Sequence, residues 1–364
     1  MEIKTLNLIQ FRNYEKQTFH FHPLVNIIIG DNAQGKTNIL EAIYLLSTTR
    51  SFKSRMLDEM IMFDQSYTRV SGHVMNGTRP YDLKVVVSKD GKKAFINDKA
   101  VSKTSDYLGY FNVILFTPQD LQLIKGSPKM RRTLIDTEIS KISPIYMFNL
   151  NKYNKLMKER NKYLKMLHDG HKKPDMYLEV LSEEMAELEE DLIQRRMKFI
   201  ELLNEISGKM YAYISGKEKL VLRYHTQFKD ISKEGILDKY KKNYKRDIFQ
   251  GTTVDGVHKD DLKIFLDEND AGMFASQGQQ RSIILSIKIA LVEIVKMQIG
   301  EYPVLLLDDV LSELDEERKM KLLNLIDHKV QTFITTTHFD LGYHHSLDDA
   351  LVLRIEKGTL KEDK

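Results

Sequence analysis

The 364-residue chain contains no cysteine, and this absence excludes several kinds of site at once. It rules out disulfide bridges, cysteine-ligated zinc and iron–sulfur clusters, and it fits a reducing compartment. The chain also lacks any apolar run of the roughly 18–20 residues that span a bilayer. Its first residues, "MEIKTLNLIQFRNYEK", have no basic segment followed by an apolar core, which is the pattern of a signal peptide. We therefore expect a cytoplasmic protein.

Net charge is also small, at +3, so a local basic patch could bind nucleic acid but the overall charge does not predict one. The sequence has no recognisable zinc finger, RNA-binding aromatic signature or helix-turn-helix. Hydrophobic residues make up 42% and charged residues 29%, an ordinary globular composition. The length suits one large domain or two.

The order of sequence patterns predicts an interrupted α/β fold. The first 30 residues alternate apolar and polar side chains and end in "LVNIII", which is typical of an edge hairpin beside a buried strand. Further strand patterns follow, and Asp90-Gly91 is a hairpin signal between two of them. Strand and helix patterns resume near residue 250. We expect a mixed sheet built from both chain ends, within 1–139 and 251–364, and a mainly helical insertion at 140–250.

The insertion consists mostly of two predicted helices. Apolar side chains recur at heptad spacing over 146–167, interrupted by Arg160, and over 178–206, interrupted by Arg195. The pattern predicts an antiparallel hairpin that forms a short arm, about 33 Å long at ~1.5 Å per residue. Residues 152–173 carry a net charge of +6, and residues 178–205 carry −6. Either the helices pair these charges, or the basic helix also follows a phosphate backbone.

A phosphate-binding loop is predicted at residues 30–37, "GDNAQGKT", between a β-branched strand and an amphipathic helix. Glycines let backbone N–H groups close around phosphates, and the helix N-terminus adds favourable dipole charge. Lys36 would reach the β- and γ-phosphates, and the Thr37 hydroxyl would hold Mg²⁺. The predicted nucleotide contacts are Gly30, Asp31, Asn32, Ala33, Gln34, Gly35, Lys36, Thr37 and Asn38.

The strand pattern "PVLLLDD" ends in two adjacent carboxylates. Beside a phosphate-binding loop, Asp308 would hold Mg²⁺ and Asp309 would orient or deprotonate the attacking water. The alternative is a helix-capping pair after an ordinary core strand. Most ATP-binding-cassette ATPases have Glu at the second position, and Asp reaches one methylene less far. We therefore expect weak hydrolysis that serves as a timer.

The polar stretch "ASQGQQR" at 275–281 precedes the apolar helix pattern of 283–299. Cassette-type ATPases carry a Ser-x-Gly signature at this place, about 30 residues before the acidic strand. Ser276, Gln277, Gly278 and Gln279 would then contact, from a helix N-terminus, the γ-phosphate bound on a second subunit. The alternative is a polar turn.

Three further stretches fit the same kind of enzyme. "LSELD" at 311–315 follows the acidic strand, where the dimer-contacting loop of such enzymes lies. Gln119 follows a strand pattern, at the place of a glutamine that contacts metal and water, although "TPQDL" could be a plain turn. His338 closes the next strand, "TTTH", where a histidine commonly senses the γ-phosphate.

The chain resembles the RecF family of bacterial recombination and gap-repair ATPases, which are related to the SMC proteins. The matching stretches are "FRNY" (11–14), "GDNAQGKTNILEAIYLL" (30–46), "TTRSFK" (48–53), "TPQDLQLIKGSPKMRRTLID" (117–136), "GVHKDDL" (256–262), "SQGQQR" (276–281) and "LLLDDVLSELD" (305–315). Val257, Lys259 and Gln119 depart from the Pro, Arg and Glu that we expect in this pattern.

The resemblance implies an ATP- and Mg²⁺-dependent homodimer that binds double-stranded and gapped DNA. It implies action with RecR, RecO and RecA, in replication, damage repair and the SOS response, and it adds Arg12 to the nucleotide contacts. Two other classes stay open. The ATPase subunit of a membrane transporter would not need the helical insertion. An SMC-like protein that bridges DNA should have far longer arms.

Basic residues near two of these motifs are candidate DNA contacts. Arg50 and Lys53 follow the phosphate-loop helix, and Lys129, Arg131 and Arg132 belong to "SPKMRR". Such residues would bind the DNA backbone rather than base edges, so binding would depend strongly on salt and weakly on sequence. The alternative is a solvated basic face.

Overall fold

The computed structural model describes residues 1–54, 56–173, 176–216, 218–326, 329–337 and 349–361. It divides into two compact units. Unit 1 comprises Met1–Leu121, Lys209–Lys217 and Ser276–Lys364, and unit 2 comprises Gln122–Gly208 and Glu218–Ala275. The inserted unit is therefore longer at both ends than the predicted 140–250. The physical reason is that the helix Pro128–Ile142 and the strand Asp261–Leu266 pack against each other within unit 2.

The strands, in chain order, are β1 Glu2–Phe11, β2 Tyr14–His20, β3 Val25–Ile29, β4 Tyr67–Asn76, β5 Arg79–Ser88, β6 Gly91–Ile96, β7 Lys99–Val101, β8 Val113–Phe116, β9 Leu220–His225, β10 Asp261–Leu266, β11 Asn269–Asp270, β12 Val304–Asp308, β13 Thr332–Thr336, β14 Leu351–Glu356 and β15 Thr359–Lys361. The helices are α1 Lys36–Thr48, α2 Gln122–Lys125, α3 Pro128–Ile142, α4 Pro144–His168, α5 Tyr177–Ile214, α6 Lys233–Gln250, α7 Ala271–Phe274, α8 Gln277–Ile299 and α9 Glu316–Ile326.

One six-stranded sheet of unit 1 has the order β15-β14-β3-β13-β12-β8. Every pairing from β14 to β8 is parallel, and only β15 runs antiparallel. β12 is buried at all five positions, as a central parallel strand must be when both faces are covered. Because parallel strands end at the same edge, the ends of β3, β13, β12 and β8 meet there. The prediction of a sheet built from both chain ends is confirmed.

The second six-stranded sheet of unit 1 is antiparallel, with the order β2-β1-β4-β5-β6-β7. β4 buries every second residue over most of its length, so one face packs on the core and the other does not. The hairpin indicated by Asp90-Gly91 joins β5 to β6. Residues of both sheets and of α1 share one hydrophobic core, which fixes α1 against them.

Unit 2 contains the predicted antiparallel helical hairpin. The helices α4 and α5 run antiparallel. Asn149, near the start of α4, donates a hydrogen bond to Asp191 of α5, while Glu159, further along α4, accepts one from Tyr177 at the start of α5. Among the residues that the structure describes, one ion pair, Lys152–Glu184 at 3.5 Å, joins these two helices. The opposite charges of α4 and α5 are therefore mostly unpaired across the seam. α6 packs on α4, and β9, β10 and β11 form a three-stranded sheet.

Candidate ATP site and signature helix

The loop between β3 and α1 has the shape that phosphate binding requires. α1 begins at Lys36, and its N-cap, Gly35, provides no side-chain cap, so the first amides of the helix remain available to an anion. The Lys36 ammonium donates to the carbonyls of Gly30 (2.5 Å) and Asp31 (3.1 Å), which holds it inside the loop. Residues 31–33 are exposed. These are the residues of the predicted phosphate-binding loop.

The "FRNY" turn supports the loop from behind. Asn13 donates to the Gln34 carbonyl at 3.0 Å, and the Tyr14 hydroxyl donates to the Gly35 carbonyl at 3.2 Å. Gly35 has φ +116°, and a Cβ there would lie 2.8 Å from the Asn13 amide nitrogen. Glycine is required at this position both by the backbone conformation and by the close approach. Asn38 is held similarly, because its amide donates to Asn13 at 2.8 Å.

Thr37 and Asp308 meet at the sheet edge. The Thr37 hydroxyl donates to Oδ1 of Asp308 at 2.9 Å, and the Thr335 hydroxyl donates to the same oxygen at 2.8 Å. Burial raises the pKa of Asp308, while these two hydrogen bonds oppose the rise. Across the described ranges, no group donates to Oδ2 of Asp308. The carboxylate therefore keeps one oxygen available to a cation.

The donor set here fits Mg²⁺ bound together with a nucleotide. No group of three or more His, Asp or Glu side chains within the described part of the chain could hold a metal by itself. Mg²⁺ is commonly held by one or two protein oxygens together with substrate phosphates and water. Thr37 and Asp308 supply two such oxygens next to the phosphate-binding loop.

Asp309 has a backbone conformation that is rare for residues other than glycine. Its φ is +53°, and its amide donates to the Thr335 hydroxyl at 2.9 Å. Asp tolerates this left-handed region better than most residues, and such conformations cluster at functional sites. Asp309 is partly exposed, unlike the buried Asp308. The turn therefore separates the two carboxylates into a buried and an accessible one.

The predicted signature stretch begins α8, a helix of 23 residues. Ser276 is its N-cap and accepts from the Gln279 amide at 3.3 Å, while the Gln279 side chain accepts from the Ser276 amide at 2.7 Å. This capping box explains both residue types by helix stability alone. It also leaves the Ser276 hydroxyl proton able to donate elsewhere. Ser276 and Gln277 are exposed, and Gly278 is half-buried.

Gln119 is exposed on the turn that follows β8, at the same sheet edge as Asp308. The next residue, Asp120, forms an ion pair of 2.8 Å with Lys288 of α8. Gln119 and the signature helix are thus linked through neighbouring residues in unit 1. His338, predicted to sense the γ-phosphate, lies outside the described residues.

Arg12 and Lys53 both lie close to the phosphate-binding loop. Arg12 forms a bidentate pair with the buried carboxylate of Glu41 on α1, at 2.9 and 2.7 Å. The Lys53 ammonium donates to Asn38 at 2.8 Å. Burial lowers the pKa of Lys53, and the charges of Glu41 and Asp308 oppose this. Lys53, expected at DNA, is therefore positioned beside the nucleotide loop.

The other DNA candidates differ in how accessible they are. Arg50 and Lys129 are exposed. Arg131 is buried and forms a bidentate pair with Asp261 at 2.7 and 3.0 Å, and its third nitrogen donates to two backbone carbonyls. Arg132 donates to the carbonyl of Asp260 at 2.7 Å. The Arg131 guanidinium is therefore already occupied by the fold, and a DNA contact of Arg131 stays a prediction.

Sequence reasoning missed several charged residues that organise these elements. Lys288 of α8 lies within an apolar stretch of the sequence, which does not indicate its role. The structure shows that it is buried and forms an ion pair with Asp120. Arg318 of α9 lies against Gly278, with its guanidinium nitrogens 3.8 Å from where a Cβ would stand. The signal for Arg160 was visible, since it interrupts a heptad. It pairs with Asp247 at 2.8 Å.

Comparison with known proteins identifies the family of this chain. The model of the RecF/RecN/SMC N terminal domain matches residues 2–355. "DNA replication and repair protein RecF" of Halalkalibacterium halodurans is 42% identical over 370 residues, covering 100% of both chains. The protein of that name from Lactobacillus acidophilus is 43% identical, again over 100% of both chains. The chain belongs to the RecF family.

Solved structures agree with this assignment. The chain is similar, with a TM-score of 0.90 and 34% identity over 99% of its length and 97% of the other, to a structure described as the recombination mediator protein RecF-ATPrS in the RecFOR pathway. The Smc head domain of Pyrococcus furiosus, with a TM-score of 0.56 and 18% identity, covers 99% of this chain and 95% of that one. It shows the fold alone. The α/β head predicted for a RecF-like ATPase is confirmed. No helix among the described residues is both long and apolar enough to cross a membrane.

Proposed function

We propose that this RecF-family chain is an ATP-dependent DNA-binding protein of recombinational repair and replication maintenance. The observation that carries the proposal is the 2.9 Å contact between Thr37 and Asp308, which brings the phosphate-loop hydroxyl to the acidic strand end. Two of its relatives are named as DNA replication and repair proteins, and one similar structure is described as RecF-ATP in the RecFOR pathway.

The residues of unit 1 have separate roles in the proposed ATP site. Lys36 and the first amides of α1 bind the β- and γ-phosphates. Thr37 and Asp308 would hold Mg²⁺, which would offset the charge of the phosphate oxygens when bound. Asp309 orients the attacking water and accepts its proton, and Gln119 contacts that water. Hydrolysis is slow, because a side chain with one methylene less than Glu reaches the water poorly.

Two chains form the active assembly in this proposal. Ser276 and the Gly278 backbone of one chain contact the γ-phosphate held by the other, which makes an ATP-sandwiched homodimer. The exposed Ser276 hydroxyl at the start of α8 supports this role. ATP closes the dimer on duplex or gapped DNA, and hydrolysis opens it, as in other switches that order around a γ-phosphate. RecR is the proposed direct partner, and RecO and RecA act in the same process.

The proposal is tested by anisotropy of labelled duplex and gapped DNA with ATP, with ADP and without nucleotide. We expect tight binding only with ATP, and longer-lived binding for Asp309→Asn, which keeps the fold but lacks the proton acceptor. Equal DNA affinity under all three conditions would contradict the switch. ATP turnover above roughly 100 s⁻¹, the upper end for phosphoryl transfer, would contradict its role as a timer.

A further inference from the structure

Unit 2 presents a row of lysines along α4. Lys155, Lys158, Lys162 and Lys165 recur at spacings of three and four residues, and all four are exposed. At 3.6 residues per turn this spacing places them on one face of the helix. Within this stretch of α4 the buried residues, Arg160, Tyr163 and Leu164, lie on the other side of the helix. The row therefore points away from the core of unit 2.

These four lysines lack counter-charges within the described ranges, where no carboxylate forms an ion pair with them. Glu159 is the one acid between Lys155 and Lys165 in the sequence, and it accepts a hydrogen bond from the Tyr177 hydroxyl of α5. Lys152, one turn before the row, does have a partner in Glu184. The positive potential of the row is therefore not neutralised by the fold.

A second basic helix, α6, packs against α4. Arg160 of α4 pairs with Asp247 of α6 at 2.8 Å, and Gly251, which ends α6, lies against Lys165. The second contact lies further along both helices than the first, so α4 and α6 run parallel. α6 exposes Lys241 and Lys245, one turn apart and without an ion pair in the described part of the chain. We call the four residues Lys155, Lys158, Lys162 and Lys165 the lysine face.

We propose that the lysine face binds the phosphate backbone of duplex DNA. This deepens the proposed function, on which it rests, by giving DNA a contact in unit 2, whereas the ATP site lies in unit 1. Compact ammonium groups without side-chain acceptors contact phosphates and carry no base-specific information. We therefore expect binding that depends strongly on salt and hardly on sequence.

The composition of the lysine face disfavours two other occupants. The centres of protein interfaces are rich in aromatic residues, Met and Arg and poor in Lys, so an acidic protein fits less well. Single strands are bound by successive aromatic side chains on which bases stack. The lysine face contains none. The exposed aromatic residues of α4 and α6 are Phe148, 60% exposed and seven residues before Lys155, and Phe249, 77% exposed and a turn beyond Lys245, and these two do not form a series. Duplex DNA remains the occupant that the chemistry favours.

The test compares two fourfold variants of the full chain. One carries Lys155→Gln, Lys158→Gln, Lys162→Gln and Lys165→Gln, which keep helix propensity and remove the row. The matched control carries Gln at four exposed lysines of unit 1, Lys16, Lys89, Lys99 and Lys103. Both lower the formal net charge of +3 by the same amount, so they separate local from overall charge.

Binding of a labelled 30-base-pair duplex and of a single strand is measured with ATP over a range of salt concentrations. We expect the α4 variant to lose about 10-fold or more in duplex affinity at ~0.15 M salt. The slope of log K against log salt should fall by about one per phosphate contact removed. The control should bind as the wild type does.

Unchanged duplex affinity and salt slope in the α4 variant would overturn the proposal, as would equal losses in both variants or a loss confined to single strands. Sedimentation of the same samples with and without ATP reports the proposed dimer independently. If the α4 variant still dimerises but binds duplex weakly, the lysine face is supported. If the wild type never dimerises, the proposed function fails by a separate measurement.

Discussion

Lys288 and Asp120 form an ion pair of 2.8 Å between the signature helix α8 and the turn that carries Gln119. Both side chains are largely buried, with 7% and 16% of their surface exposed. The Lys288 ammonium also donates to the Leu115 carbonyl at 2.7 Å, and Asp120 caps its own turn by accepting from the Thr117 amide at 2.7 Å. The ion pair therefore connects the body of α8 to the turn that carries Gln119, within unit 1.

Replacing Lys288 with Met should lower the free energy of unfolding by about 1–3 kcal/mol, because Asp120 loses its charged partner while buried. The double variant Lys288→Met/Asp120→Asn should lose less than the sum of the two single variants. Urea unfolding of the four proteins gives the coupling energy, for which we expect about 0.5–3 kcal/mol. Additive losses would show that the two side chains act independently.

Asp308→Asn separates the chemical role of this carboxylate from its structural one. An amide oxygen still accepts from Thr37 and Thr335, so the fold should persist. Since burial raises the pKa of Asp308, its charged form opposes folding at neutral pH, and we expect the variant to unfold at higher urea. Mg²⁺-dependent ATP turnover should fall by at least ~100-fold. A variant that retains turnover would remove Asp308 from the metal site.

Two titratable residues of unit 2, Glu189 and His258, should give opposite pH dependences of stability. Burial raises the pKa of Glu189 to about 7, and burial lowers the pKa of His258 to about 4. The stability from Glu189 is present below about 4.5, its unfolded pKa, and is lost as pH rises towards 7. The stability from His258 is present above about 6.5 and is lost as pH falls towards 4. In the wild type the two effects largely offset each other.

Single substitutions should expose each effect. In Glu189→Gln the unfolding free energy should rise between pH 4.5 and 6.5, and in His258→Gln it should fall over the same range. The largest slope for either is about 1.4 kcal/mol per pH unit. Urea unfolding at several pH values measures both. Parallel slopes in the two variants would contradict the opposite assignments, and the wild type serves as the reference.

Arg131 and Lys129 are close in sequence, but replacing them should change the free energy of unfolding by different amounts. Arg131→Gln leaves the buried Asp261 with Lys263, at 3.2 Å, as its remaining ion-pair partner, and we expect a loss of about 1–3 kcal/mol in unfolding free energy. Lys129→Gln, at an exposed position, should change stability by less than about 0.5 kcal/mol. Thermal or urea unfolding distinguishes them. A stable Arg131→Gln protein with a reduced salt slope of DNA binding would support Arg131 as a DNA contact.

Much of the nucleotide site was predictable because its residues lie in short local patterns. The phosphate-binding loop, the acidic strand end and the signature stretch each combine a turn chemistry with a flanking strand or helix, and the parallel sheet brings the first two together. The Thr37–Asp308 contact follows from that topology. The fold of the head was predictable for the same reason.

The rest depends on partners far apart in the chain. Arg131 looked like a surface cation, and only Asp261, 130 residues later, makes it a core residue. Arg160 of α4 donates to Ser182 of α5, but its ion-pair partner is Asp247 of α6. Heptad spacing indicates which face of a helix is buried, but not which neighbour covers it. Ser276 is a further case, since a helix cap and a phosphate contact require the same residue type.

The most direct test of the account uses Ser276→Asp. Asp caps helices as well as Ser does, so α8 should keep its start, but its carboxylate would repel a γ-phosphate bound on a second chain. Sedimentation with ATP, with ADP and without nucleotide measures the outcome, with ATP binding and unfolding as controls. We predict that only ATP dimerises the wild type, and that Ser276→Asp stays monomeric although it is folded and binds ATP. A variant that dimerises with ATP as the wild type does would contradict the account, and Ser276 would then be a helix cap only.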